Sequence, residues 1–475
     1  MENRDFVVIG SGPGGLSAAV AASSLGVEVT VIGEDPKIGG QIFRQIAPPF
    51  IIQEPLSDSQ NRKIFENLKS EISKNDIQFL NKTVVWGIFD DKTIAIDNPR
   101  NSLIKPKKIL IAEGAYETPV AFRGWTLPGV MTLGGVQILL KSQGVVPDGR
   151  VLVAGTGPLL YLTASHLLNN GANVIGVLEA SSLTQLMKKA VPLWRSLDLL
   201  TKGIFYFAGL KKHRIPIYFN SVVKEALGSE YLEEVVSVEM NEDWIPIVGT
   251  ERKLKADVLC FNFGFVPSTS FTHLAKCEHT CNPRLRGWVP KFNSRYETSR
   301  EGIFVAGDCT GIGGVKMAVI EGKIVGTEVA CQLGCISETE ADKRQSKLRK
   351  ALSRHKWYQN FLEKIYAFRP GLLKLLTDET IICRCEEVKL RTISEIIDDG
   401  YCHIEQIKRL TRMGMGRCQG RFCYPTLLGI LGQRLSFEEL VSEDFSGRLP
   451  VKPLPLKFFS EIESLQQKIG NEPSR

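Results

Sequence analysis

The sequence predicts an α/β chain, with two Rossmann-like dinucleotide-binding units followed by a small helical domain. Three observations carry this. A strand, glycine turn, helix and strand occupy residues 5–32; a second such unit occupies 151–179; and four cysteines gather between 383 and 423. The 475 residues leave room for two to four domains. Hydrophobic residues are 43% and charged residues 23%, which excludes a wholly disordered chain, a collagen and a small disulfide scaffold. A net charge of +7 over this length does not require nucleic acid as a partner. No apolar run approaches the roughly 18 residues of a membrane span. The strand-like Phe6-Val7-Val8-Ile9 begins too early for a signal peptide. A cytoplasmic, reducing setting is therefore expected, and the 11 cysteines need an explanation other than disulfides.

In the first unit, Gly10, Gly12 and Gly15 fit G-x-G-x-x-G, with Gly14 between them. Such glycines allow a tight turn, close approach of a pyrophosphate and packing of helix on strand. The helix N-terminus that follows favours an anion. Gly33 replaces the acidic residue expected after the second strand, so Glu34 becomes the candidate for the ribose. Two later segments favour FAD over NAD here. Residues 107–114, ending at Gly114, resemble the strand-and-turn signature where flavoprotein chains cross between domains, with Glu113 in place of the usual Thr. Residues 302–308 resemble the late flavoprotein motif, in which Gly307 is followed by a ribityl-binding acid, here Asp308.

The second unit carries Gly155, Gly157 and Glu179 at the matching positions, but Leu160 stands at the third glycine. A branched side chain there obstructs helix-on-strand packing. The fold is expected to persist while NAD(P) binding is left open. A structural remnant or another nucleotide site is the favoured reading, and Glu179 would suit a ribose hydroxyl if a dinucleotide binds. Gly39-Gly40-Gln41-Ile42-Phe43-Arg44 contains no cysteine, and no Cys-x-x-Cys occurs, which argues against disulfide reduction.

Cys383-Arg-Cys385 and Cys418-x4-Cys423 supply four thiolates. Four suit a [2Fe–2S] cluster or a structural zinc, but Cys-x-Cys is tighter than the usual zinc knuckle. The cluster is the preferred reading, with zinc and plain buried cysteines as its competitors. Arg384, Arg417 and Arg421 would offset the cluster's negative charge.

These motifs, with Gly40-Gln41, Gly114-Ala-Tyr-Glu-Thr-Pro119, Gly124-Trp-Thr-Leu-Pro-Gly-Val130 and Gly264-Phe-Val-Pro267, resemble the larger FAD- and Fe–S-containing subunits of hydrogen cyanide synthase, opine oxidase and D-hydroxyproline dehydrogenase. The resemblance spans nearly the whole chain. It implies a glutathione-reductase-like flavoprotein with a BFD-like [2Fe–2S] domain. It also implies electron transfer inside a heteromeric amino- or imino-acid dehydrogenase, where the partner is a smaller FAD-dependent subunit, with electrons passing on to an acceptor such as quinone. No catalytic acid or base stands out. The alternatives are a self-contained NAD(P)H dehydrogenase that feeds FAD and then the cluster, and a non-enzymatic redox sensor or scaffold.

The expected organisation is a discontinuous FAD domain (1–111 and 256–335), a second dinucleotide-type domain (112–255), a helical linker (336–378), the [2Fe–2S] domain (379–435) and an extended tail (436–475). Leu193–Leu210 is apolar between lysines, which fits a buried helix, a contact between subunits or an interfacial helix at the inner membrane face. Cys277-x3-Cys281 beside His273 and His279 is read as incidental.

Overall fold

The computed structural model describes residues 2–47, 49–50, 59–98, 102–190, 206–442 and 447–460. β1 (Glu2–Ile9), α1 (Pro13–Ser23) and β2 (Val29–Ile32) form the first βαβ unit, and α2 (Ser59–Ile72) leads to β3 (Ile77–Leu80). β4 (Val85–Ile88) and β5 (Ile94–Ile96) make a hairpin before β6 (Leu103–Ile111). The sheet order is β3-β2-β1-β6-β5-β4, with the strand Ile303–Val305 also pairing β6 in parallel. Residues near the C-terminal end of the first domain thus return to the sheet that begins the chain. β1 ends in four buried apolar residues and β2 is buried throughout, as strands covered on both faces must be.

β7 (Ala115–Glu117) crosses to the second domain. There β8 (Val130–Thr132), α3 (Leu133–Ile138), a π-helical segment (Leu139–Gln143), β9 (Arg150–Gly155), α4 (Pro158–Asn169), β10 (Asn173–Glu179) and α5 (Leu183–Ala190) follow. After β11 (Ile217–Phe219), the strands β12 (Ser221–Leu227), β13 (Glu234–Glu239) and β14 (Arg252–Lys255) form an antiparallel sheet of their own. β15 (Val258–Asn262) then pairs in parallel with β9 and β8. This moves the expected boundary: the second domain does not end at 255, because β15 is an interior strand of its sheet. The chain recrosses through β16 (Phe265–Pro267), which pairs β7 antiparallel.

α6 (Gly314–Gln332) lies against α1. A Cβ on Gly322 would sit 2.1 Å from the Gly14 carbonyl oxygen, and one on Gly326 2.3 Å from that of Ala18. The two helices touch backbone to backbone, which explains why α1 is rich in Gly, Ala and Ser and is buried on nearly every face. α7 (Glu338–Ile365) occupies the segment expected as a linker. It also packs on the first domain: Leu352 and Leu348 join the core of Phe6, Ala18 and Val325, and the buried Gln345 amide donates to Glu328 (3.2 Å).

The cysteine domain contains the short pair Ile381–Cys383 and Val388–Lys389 and the helices Leu390–Asp398, Ile404–Thr411 and Tyr424–Leu431. It shares a core with the second domain, and the Trp125 indole donates to Ile381 O at 2.6 Å. The tail is not wholly extended, since Phe437–Ser442 is helical. The non-helical run is the proline-rich stretch around 449–455, which crosses the first domain where Val451 N donates to Trp86 O (3.1 Å). Most of the apolar segment 193–210 falls outside the described residues. At its described end, residues 206–212 are helical, Leu210 is buried, and Tyr206 and Phe207 pack on the second domain's core. Among the described residues no helix is long and apolar enough to cross a membrane.

Gly322→Val should lower unfolding stability by about 3 kcal/mol, because the added side chain meets backbone rather than a movable side chain. Denaturant unfolding of the variant checks this, and an unchanged midpoint would refute the close helix contact.

Candidate functional site

The first glycine loop opens onto a cavity of about 550 Å3 between the first two domains. That volume lies in the range of small-molecule and cofactor sites. α1 starts at Pro13 with Gly12 as N-cap and no capping side chain, so its first amide groups are available to an anion. Gly15 is required behind them: its Cβ would fall 2.0 Å from Gly10 O. Gly39 N donates to Ser11 O at 2.8 Å, which holds the Gly40-Gln41 segment against the loop.

The remaining walls come from distant parts of the chain. Asp308 is pushed above the usual carboxylate range by burial and accepts from Gly314 N (2.9 Å) and Gly313 N (3.1 Å). Glu113 is also raised by burial, and accepts from Ser268 Oγ (2.6 Å) and Phe271 N (3.1 Å). The same Ser268 Oγ accepts from the Tyr116 hydroxyl at 2.8 Å. Asp35 holds Arg44 through two bonds of 3.1 Å. Glu34 is paired with Lys452 of the tail at 2.8 Å. From the second domain, Gln137, Ile138 and Lys141 complete the wall.

The candidates Gly10, Gly12, Gly14, Glu34, Gly40, Gln41, Gly114, Gly307 and Asp308 therefore line one cavity, while Gly15 serves the packing beneath it. Sequence reasoning missed Lys141 and Lys452, which lie in no motif. It also reads Arg421 only as a charge partner for the cysteines. Arg421 lines this cavity, donates to Cys418 O (3.2 Å) and Val451 O (3.4 Å), and lies 5.4 Å from the Tyr116 ring.

Gly155, Gly157 and Glu179 do not line this cavity, although Leu159, at the start of the helix after the second glycine loop, does. The expected ribose contact from Glu179 is corrected by its burial. Glu179 is fully inaccessible, its Oε1 accepts from Thr156 Oγ1 (2.7 Å) and Ser181 N (2.9 Å), and its carboxyl faces inward beside Tyr161. Leu160 is equally buried in the second domain's core. Burial raises Glu179 to about 7.

The four cysteines come together as two pairs. The Cys383 thiol is held down to about 6 by Cys423 and by backbone N–H groups of Gly414, Glu386 and Cys385. Cys418 is raised by burial and by its neighbour Cys385. Cys383 and Cys423 are buried, Cys385 is exposed and Cys418 is half-buried. Among the described residues no three His, Cys, Asp or Glu side chains surround a single ion position. Two neighbouring thiol pairs supply the four ligands that a [2Fe–2S] cluster takes. By contrast, His273 and His279 stack ring on ring at 3.7 Å, and Cys277 Sγ donates to Thr298 Oγ1.

Fold and sites together define a flavoprotein with two dinucleotide-type domains and an appended [2Fe–2S] domain. The pyridine nucleotide-disulphide oxidoreductase family matches residues 4–330, and the BFD-like [2Fe-2S] binding domain matches residues 381–433. An opine oxidase subunit of Rhizobium meliloti is 31% identical, over 99% of this chain and 91% of its own. Hydrogen cyanide synthase subunit HcnB of Pseudomonas aeruginosa is 31% identical, over 96% of this chain and 98% of its own. L-proline dehydrogenase from P. horikoshii shares the fold, with a TM-score of 0.65 at 21% identity over 96% of this chain and 79% of that one. The chain belongs to the pyridine nucleotide-disulphide oxidoreductases, in the branch that holds this opine oxidase component and HcnB. It is an FAD-dependent oxidoreductase that carries a [2Fe–2S] cluster.

The buried Glu179 has a consequence for stability. Its carboxyl, near 4.5 when unfolded, is raised to about 7 when folded. The folded state therefore holds the extra proton, and this contribution is present at low pH and fades as pH rises through 7. Glu179→Gln removes the dependence. Its stability relative to the wild type should rise between pH 5 and pH 8 by up to ~3 kcal/mol, as read by urea unfolding at both pH values. Parallel pH profiles would refute it.

Proposed function

We propose that this chain is the electron-relaying component of a heteromeric amino- or imino-acid dehydrogenase of opine, hydroxyproline/proline or glycine type. A smaller flavoprotein subunit oxidises the CH–NH or CH–NH2 donor, and this chain hands the electrons to an acceptor such as quinone. One observation carries the reading: Arg421 belongs both to the cysteine segment and to the wall of the cavity at the first glycine loop, so the two redox sites are neighbours. FAD takes up electrons as a pair and can release them one at a time, as a [2Fe–2S] cluster accepts them, so the conversion between the two modes is made at the flavin. The names of the two relatives, each a subunit of a larger enzyme, support a heteromeric setting.

In this reading Gly10, Gly12, Gly14 and Gly15 present the loop and helix end that hold the pyrophosphate, with Gly40, Gln41, Gly114 and Gly307 as close backbone walls. Glu34 serves the ribose and Asp308 the ribityl chain. Cys383, Cys385, Cys418 and Cys423 bind the irons. The inner pair, Cys383 and Cys423, is buried on the protein side, while Cys385 reaches solvent, which suits electrons entering from within and leaving outward.

Anaerobic addition of NADH or NADPH to the purified chain should leave the flavin oxidised, because Leu160 and Glu179 are buried in packing. Dithionite should still reduce both centres. Rapid bleaching by either nicotinamide would overturn the relay reading in favour of a self-contained NAD(P)H dehydrogenase. Cys418→Ser should abolish the cluster's visible absorbance and leave FAD bound. Loss of both cofactors together would refute two separately held sites.

A further inference from the structure

Lys141 sits in the π-helical segment, Leu139–Gln143, that continues α3 of the second domain. Such segments are rare and recur at functional sites. The segment is docked on the first domain by a backbone bond from Ala47 N to Ser142 O of 2.8 Å, and Ser142 Oγ donates to Ile138 O at 2.6 Å. This docking directs Lys141 to the wall of the flavin cavity.

Other charged side chains of the cavity wall have partners. Arg44 is held by Asp35 and Lys452 by Glu34, while Glu113 accepts from Ser268 and from a backbone amide. Among the described residues Lys141 alone of the cavity's lysines and arginines has neither a hydrogen bond nor an aromatic or ionic partner. Burial and the nearby Arg44 guanidinium lower its ammonium to about 8. A poorly solvated ammonium beside a second cation is unfavourable until an anion arrives. The same cavity contains the uncapped N-terminus of α1, a second feature that favours an anion.

We propose that Lys141 is a cofactor-binding residue, reaching from the second domain to the anionic pyrophosphate of the FAD held at the first domain's glycine loop. The proposal rests on the FAD placement given under Proposed function. It adds that the cofactor is gripped from both sides of the domain seam.

The experiment compares full-length wild type, Lys141→Met and Lys141→Arg, each stripped of FAD and titrated with it while flavin fluorescence and thermal unfolding are followed. Lys141→Met should weaken FAD binding about tenfold, the size expected on losing a charge-assisted contact. It should leave the FAD-free protein as stable as wild type or more so, since a mismatched charge has been removed. Lys141→Arg should restore most of the affinity. This opposition of sign separates a binding role from a merely structural one, which would lower stability and affinity together. Unchanged FAD affinity in Lys141→Met would overturn the proposal. So would unchanged affinity combined with weakened sulfite addition to the flavin, which would assign Lys141 to the ring instead. Failure of the wild type itself to take up FAD would instead sink the placement on which the proposal rests.

Discussion

The contact on which the rest of the structure depends is the backbone-to-backbone approach of α1 and α6. Gly322 and Gly326 carry no side chain where one would collide with carbonyl oxygens of α1. Because the helices touch this closely, the glycine loop at the start of α1 and the Gly307–Asp308 turn before α6 share one cavity. These segments are separated by the whole second domain in sequence. A bulkier pair of helices would part them and divide the site. The cavity is thus a product of helix packing as much as of its own motifs.

A second theme is how the interior handles charge. Desolvation raises the carboxyls of Glu113, Asp308 and Glu321 in the first domain and of Glu179 in the second. Whereas the buried Glu328 is paired with Arg295 at 3.1 Å, these four accept from backbone amides or hydroxyls. Polar hydrogen bonds make their burial tolerable without committing the nearby cations. Other cations that line the cavity are held by surface-side partners, such as Asp35 for Arg44. The cavity consequently presents its walls as a mixture of amides, hydroxyls and basic groups, a lining matched to an anionic, hydroxyl-rich cofactor.

Much of this was legible in the sequence, and the reason is locality. Both βαβ units, the Gly-Asp turn and the cysteine spacing are short-range patterns, in which neighbouring residues suffice to state the chemistry. Glu34 and Asp308 could be picked out this way. What stayed hidden depends on distant segments meeting. Lys141 lies in no motif and reaches the cavity only because the π-helical segment docks on Ala47. Arg421 looks like an accessory to the cysteines until the fold turns it toward Tyr116. Glu179 occupies the expected position at the end of its strand, yet Thr156 and Ser181 absorb its carboxyl. The boundary after residue 255 is misplaced by sequence because β15 resembles any buried strand, and only its pairing with β9 reveals its sheet.

The ion pair between Glu34 and Lys452 bears on how the protein is made. Glu34 emerges early in synthesis, and the chain must be translated as far as residue 452 before its partner exists. Val451, anchored to Trp86, arrives at the same late moment. Until then the Glu34 edge of the cavity lacks the side chain that pairs with it in the folded chain. Lys452 lines this cavity, so its wall is complete only when nearly the whole chain has been synthesised.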